Sequence, residues 1–371
     1  MSRSRFAYFL FLAGLQAVVF AQQTSVPPDP TLTHRHAPQP APSPSRVTAA
    51  GSIHLDAMVN DAAGKPVPGL EPSDFKLLDD GQPRKILSFR SFDGITVKPD
   101  PAVQVILVID TANLPFQQVS FVRQQIEQFL RENGGHLAQP VSIMLLTDAG
   151  LRIQPRPSVD GNALVGVVQQ IKGSMRTIDT AMGGEGLLER FQRSARAMET
   201  IAENEATRSG RKLLIWVGPG WPMLTTPVLG YYSEKDQRRY FDGIVELSTK
   251  LREARTVVYS VAPGNLGAGG TDLDYTRLYQ DYLKGVKSAQ QAGTGNLALK
   301  VLVTQTGGKI LGPDNNLAAQ IDSCVADANA FYTLSFDPPR AEKPNEYHDL
   351  KVQVSQPGLT VRTNTGYYDQ P

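Results

Sequence analysis

The chain has 371 residues, 41% hydrophobic and 20% charged, an ordinary globular composition with room for a domain of ~200 residues and a smaller companion. Lysine plus arginine number 37 against 36 acids, so no overall field draws the chain to nucleic acid or to an anionic membrane surface. The single cysteine, Cys324, excludes an intramolecular disulfide; it sits in IDSCVAD at helical spacing from Ile321 and reads as a small buried hydrophobe rather than a nucleophile.

Residues 1–21 carry Arg3 and Arg5, an apolar run from Phe6 to Phe20, and Ala21 ahead of Gln22, the pattern of a secretory signal peptide. The alternative is a membrane anchor, but the run is short for a span of ~20 residues. An exported chain, periplasmic or extracellular, is therefore expected, with no stable membrane span after cleavage. Residues 22–50 are rich in proline with almost no large apolar side chains, which predicts a disordered tether. His34 and His36 lie inside it and lack a third metal ligand.

From residue 51 the pattern changes. SIHLDAMVND alternates apolar and polar positions, and DFKLLDDGQPRKILSFRSF supplies further short strands around the Asp80-Gly81 turn. The chain's end alternates again in AFYTLSFDPP, YHDLKVQVSQ and LTVRTNTGYY. A few strands with one apolar face are marginal alone, so residues 51–99 and 329–371 are expected to pair into one antiparallel β-sandwich. Contacts of Phe75 or Leu77 with the strands near Leu334 or Val352 are the requirement.

Residues 100–328 predict an α/β domain. Val103 to Asp110 is an apolar strand with no wet face, followed by Val119, Val122, Ile126, Phe129 and Leu130 at helical spacing. Val141 to Leu146, KLLIWV and TVVYSVAP are further buried strands, alternating with helices near 162–171, 185–206, 240–255 and 297–306. Such alternation implies a doubly wound, mostly parallel sheet inserted in the sandwich. Ligands of these sheets bind beyond the carboxyl ends of the strands, which directs attention to the loops after Asp110, Thr147, Val217 and Ala262. No Gly-x-Gly-x-x-Gly or Walker-type loop follows the first strand.

In this order and spacing, the head AGKPVPGLEPSDFKLLDDGQPRKILSF, the strand ending DTAN, KLLIWVGPGWP, TQTGGKI and the tail FYTLSFDPP through VRTNTGYY resemble a von Willebrand factor type A (VWFA) domain protein, and more closely the VWFA-related proteins of the Acidobacterial type. The resemblance implies the doubly wound fold and a metal-ion-dependent adhesion site: Asp-x-Ser-x-Ser after the first strand, a Thr from a second loop and an Asp from a third. Here the Asp position is Asp110, but Ala112 and Leu114 stand at the two Ser positions and offer no side-chain oxygen. Thr177 or Thr180 matches the Thr, while Gly218, Pro219 and Gly220 occupy the place of the distant acid. Metal and cofactor are thus expected to be absent. Weak Mg²⁺ or Ca²⁺ binding by Asp110, Asn113, Asp148 and Asp179 is the most this set supports. An acid after a buried strand otherwise serves to hydrogen-bond its loop backbone.

No histidine falls beside a Ser or Cys at the carboxyl end of a central strand, and His-Glu-x-x-His, Cys-x-x-Cys and Gly-x-Ser-x-Gly are missing, so no enzyme is expected. Recognition of a protein or peptide partner is favoured instead. WPMLTTPVLGYYSEKDQRRY places Trp221, Met223, Leu229, Tyr231 and Tyr232 in a long connection after a central strand, the residue types that interface centres use. Tyr275, Tyr279 and Tyr282 predict a helical stripe that packs its segment onto the domain. The expectation is an exported, non-catalytic, adhesion-like binding module. The alternatives are a structural component of the cell envelope and, more distantly, a hydrolase.

Overall fold

The computed structural model describes residues 51–154, 156–171, 183–222, 232–264 and 279–371. The expected signal peptide and tether lie outside these residues.

The first four strands are β1 (Ile53–Asn60), β2 (Phe75–Asp79), β3 (Gln82–Arg84) and β4 (Ser88–Phe92). The middle of the chain contributes β5 (Gln104–Asp110), β6 (His136–Thr147), β7 (Gly150–Ile153), β8 (Ser158–Asp160), β9 (Lys212–Val217), β10 (Thr256–Pro263) and β11 (Ile310–Asp314). Its helices are α1 (Phe116–Arg131), α2 (Gly161–Gln169), α3 (Gly183–Ala206), α4 (Glu234–Glu253), α5 (Leu299–Gln305) and α6 (Leu317–Val325). The tail adds β12 (Phe331–Phe336), β13 (Glu346–Val354), β14 (Thr360–Arg362) and β15 (Gly366–Asp369).

The central sheet has the order β11-β10-β9-β5-β6-β7, with β8 also on β6. Its inner pairings are parallel, and β7 and β8 add antiparallel edges. Strand alternation divides the apolar residues between the two faces. Val105, Leu107, Ile109, Leu213, Ile215 and Val217 meet α1, α2 and α6, including Val122, Ile126 and Ile321. Ile106, Val108, Met144, Leu214 and Trp216 meet α3, α4 and α5 on the other face, including Met198, Leu247 and Leu302. This is a doubly wound sheet. The chain steps from β5 to β6 on one side and returns to β9 on the other, so the strand order reverses beside the carboxyl end of β5.

Local signals set the helix starts. Asp160 and Asn316 accept from the backbone N–H three residues on, both at 3.1 Å, and cap α2 and α6. Ser233 caps α4 by accepting from Asp236 N at 3.2 Å, which starts that helix at Glu234, ahead of the 240–255 span that the apolar stripe predicts. His136 opens β6, because Asn133 and Gly134 complete the reversal before it with φ of 51° and 72°.

The two outer sheets each mix head with tail. One has the order β14-β1-β12-β4, with Leu55 paired to Leu334; the other has the order β15-β13-β2-β3, with Leu77 paired to Val352. Phe75, Leu77, Leu334, Phe336, Val352 and Tyr367 share one core. Residues Thr48–Pro371 form one compact unit. The reason lies in the packing: Met58, Phe92 and Phe331 join one core of the central sheet, and Tyr347 and Tyr368 join the other. Polar ties reinforce the seam. The buried Asp327 carboxylate accepts from Tyr259 Oη and Arg362 Nη2, each at 2.8 Å, and its backbone carbonyl accepts from Arg211 Nη1 at 2.7 Å. Cys324 is fully buried and burial pushes its thiol far above the usual range, which fits a packing residue.

Candidate functional site

The carboxyl edge of the central sheet begins with Asp110, the last residue of β5 and opposite Leu146 of β6. The chain then turns sharply. Thr111 N donates to Leu146 O at 2.9 Å, Thr111 Oγ1 donates to the same carbonyl at 2.8 Å, and Leu114 N donates to Asp110 O at 3.1 Å. Pro115 ends the turn and α1 starts at Phe116.

Asp110 is buried completely, and both of its oxygens are engaged. Oδ1 accepts from Asn113 N at 3.0 Å and Asn113 Nδ2 at 3.1 Å; Oδ2 accepts from Asn113 Nδ2 at 2.9 Å and Trp216 Nε1 at 2.9 Å. Asn113 Nδ2 also lies 2.9 Å from Ser194 Oγ, so the cluster joins the loop to β9 and α3. Burial pushes the Asp110 carboxyl up to about 6, against the opposing pull of the Asn113 and Trp216 N–H groups and of the Arg190 charge. Such shifts often mark catalytic groups, but this carboxylate has no surface from which to reach a substrate.

The adhesion-site positions give a consistent picture. Ala112 and Leu114 are buried side chains without oxygen. At Gly218 a Cβ would stand 2.9 Å from the Asp110 Cβ, so the third loop presses its backbone on the acid. A Mg²⁺ or Ca²⁺ shell takes six or more oxygens. Here the acid is surrounded by nitrogen donors, which repel a cation, and the described residues around Asp110 do not fit one. Asp148 follows Thr147 in the turn to β7, two positions beyond the register partner of Asp110; it is half-buried. Asp179, Thr177 and Thr180 lie outside the described residues.

The aromatic segment is distributed differently from a surface patch. Trp221 is 6% exposed; its ring packs edge-on to Trp216 at 4.7 Å and its Nε1 donates to Leu297 O at 3.2 Å. It is a core residue, because the Gly-Pro-Gly turn folds the chain back over β9. Tyr232 is half-buried, with its Oη 2.7 Å from Thr294 Oγ1 and its ring edge-on to Tyr240 at 5.1 Å. Met223, Leu229 and Tyr231 lie outside the described residues, as does Tyr275. Tyr279 and Tyr282 form a single 3-10 turn, not an α-helical stripe, and pack against Val301 of α5.

Two features escaped sequence reasoning. Trp216 was legible only as an apolar strand residue, although a buried indole N–H needs an acceptor and Asp110 was the acid at a strand end. Phe116 precedes the apolar stripe that begins at Val119 and carries no periodic signal, yet it stands 54% exposed at the start of α1, where the neighbouring loop residues Ala112 and Leu114 are buried.

No family model matches the chain, and no curated protein matches it. Solved structures similar to it include the human COPII-coat protein Sec24c, with TM-score 0.34, 9% identity, and coverage of 72% of this chain and 44% of that one. The chain thus spans less than half of that relative. Another is the SpRpn10 VWA domain, with TM-score 0.28, 10% identity, and coverage of 61% of this chain and 96% of that domain.

Proposed function

We propose that the chain is an exported, non-catalytic protein-binding module of the VWFA-related, Acidobacterial type, adhesion-like in use, whose crest binds a protein or peptide partner without a cation at Asp110. The observation that carries this reading is the contrast between the loop after β5 and the first residue of α1. Asp110, Ala112, Asn113 and Leu114 are withdrawn from solvent, and Phe116, which opens α1 where the loop ends, is exposed. A loop that ties its acid inward, followed by a helix that opens on an exposed aromatic, supports apolar contact in place of cation chemistry, the kind of anchor that interface centres use.

The non-catalytic part rests on the same geometry. Asp110 is the strand-end acid at the switch point, and it is locked by Asn113 and Trp216. Export rests on the N-terminal sequence, Arg3 and Arg5 followed by the apolar run to Phe20.

The test is capture from an envelope fraction by the immobilised chain, compared with Phe116→Asp at the crest and Ile95→Asp on the connection ahead of β5. Ile95 is 85% exposed and serves as the matched apolar control. Capture lost in Phe116→Asp and kept in Ile95→Asp is expected. Capture indifferent to Phe116→Asp would sink the crest as the binding face.

A further inference from the structure

Asp79 closes β2, whose alternate residues Phe75 and Leu77 face the sandwich core, so strand geometry turns its carboxylate inward as well. Its side chain has no exposed surface. Asp80 and Gly81 follow with φ of 47° and 77°, a two-residue primed turn that an Asp-Gly pair suits. Leu350 of β13 pairs with Asp79, which makes His348 the diagonal neighbour of Asp79 on the same face. His348 in turn pairs with Tyr367 of β15, and the two rings stack at 4.9 Å.

His348 Nδ1 lies 3.2 Å from Asp79 Oδ1 and 3.1 Å from Asp80 Oδ2. Neither approach has hydrogen-bond geometry. Nδ1 and Asp79 Oδ1 are both buried and both lack a hydrogen-bond partner, as does His348 Nε2. The other carboxylate oxygens are anchored: Asp79 Oδ2 accepts from Tyr367 Oη at 3.2 Å and faces Arg84 Nε at 3.2 Å, and Asp80 Oδ1 accepts from Asp349 N at 3.1 Å. Each acid is held by one oxygen and leaves the other beside the same imidazole nitrogen.

We infer that Asp79, Asp80 and His348 form a divalent-cation site in the β-sandwich. Two ligands bound at ~2.1 Å to one ion stand ~3.0–3.4 Å apart at octahedral to tetrahedral angles. The separations of 3.1 and 3.2 Å match that range. Two carboxylates with an imidazole form a donor set for Zn²⁺ or Mn²⁺, whereas Mg²⁺ and Ca²⁺ prefer oxygen alone. Tyr367 and Arg84 orient the Asp79 carboxylate from behind. Asp80, 44% exposed, opens the site to solvent for entry of the ion and for waters that complete its shell. The ion would clip the β2–β3 turn to β13, joining head and tail of a chain whose single cysteine cannot staple them.

The test is calorimetric titration of Zn²⁺ and, separately, Mn²⁺ into the chelator-treated full chain, with Mn²⁺ broadening of the His348 ring signals as the positional readout. Asp80→Asn is the principal variant, since Asn tolerates the left-handed backbone at this partly exposed position and the fold survives. His348→Gln is the second, with folding checked by circular dichroism. One equivalent bound to the parent and to Asp110→Asn, with binding weakened at least ~100-fold in Asp80→Asn, is expected. No saturable binding of either ion to the parent, or binding unchanged in both Asp80→Asn and His348→Gln, overturns the assignment.

Discussion

Asp110 ends β5 on the central sheet and Asp79 ends β2 in the sandwich, and both carboxylates are fully withdrawn from solvent. Around Asp110 both oxygens accept N–H groups from Asn113 and Trp216. Around Asp79 one oxygen is held by Tyr367 and Arg84 while the other stands without a hydrogen bond, facing a bare imidazole nitrogen. Position at a strand end therefore says little about cation binding. What decides it is whether the lone pairs of the acid are already spent on donors from its own chain.

The strongest way to break the contrast is to remove the acid that acts as a tie. Asp110→Ala removes the carboxylate to which the Asn113 backbone N–H and the Trp216 indole donate, and each buried donor that loses its acceptor costs ~1–3 kcal/mol. A loss of at least ~2 kcal/mol in urea unfolding is expected; a near-neutral variant would mean that the tie carries no stability.

Titration sharpens the comparison next. The Asp110 carboxyl is raised from 3.8 to about 6 in the folded chain, so between these values the folded state binds more protons than the unfolded one. Its contribution is fully present below pH 3.8 and is lost as pH rises through about 6, worth about 3 kcal/mol at ~1.4 kcal/mol per unit. The stability of Asp110→Asn relative to the parent should rise over that window, and a flat difference would contradict the burial argument.

A smaller effect is expected at Gly218→Ala, where the new methyl meets the Asp110 Cβ at 2.9 Å. Melting curves should register a loss of ~1–3 kcal/mol, the usual cost of overpacking. The smallest effect concerns Asp80→Asn without added cation. Asp80 is 44% exposed and Asn accepts its backbone, so the unfolding free energy should move by less than ~0.5 kcal/mol.

Much of the fold was legible because it rests on local periodicity. The stripe Val119, Val122, Ile126, Phe129 and Leu130 is buried on α1 as the spacing required, and the apolar runs became the inner strands. The candidate site was legible only in part. Ala112 and Leu114 announced the missing hydroxyls in plain sequence, but the hydrogen bond of Asp110 to Trp216 spans 106 positions and depends on which face of β9 the indole takes. Trp221 misled for the same reason: a turn rich in Gly and Pro suggested a surface, and the chain folded back on Trp216. His348 and Asp79 meet only through the β2–β13 register, so the sequence shows Asp80-Gly81 as a turn and nothing that links it to His348. Periodicity fixes which face a residue takes, but not which distant residue it meets there.

The most direct test is the titration of Mn²⁺ into Asp80→Asn, the protein in which the sandwich cluster is disabled and the Asp110 crest is untouched. With Asp110 committed to Asn113 and Trp216, binding at least ~100-fold weaker than in the parent is predicted. Tight binding in Asp80→Asn that disappears on adding Asp110→Ala would place the cation at the crest and contradict the account.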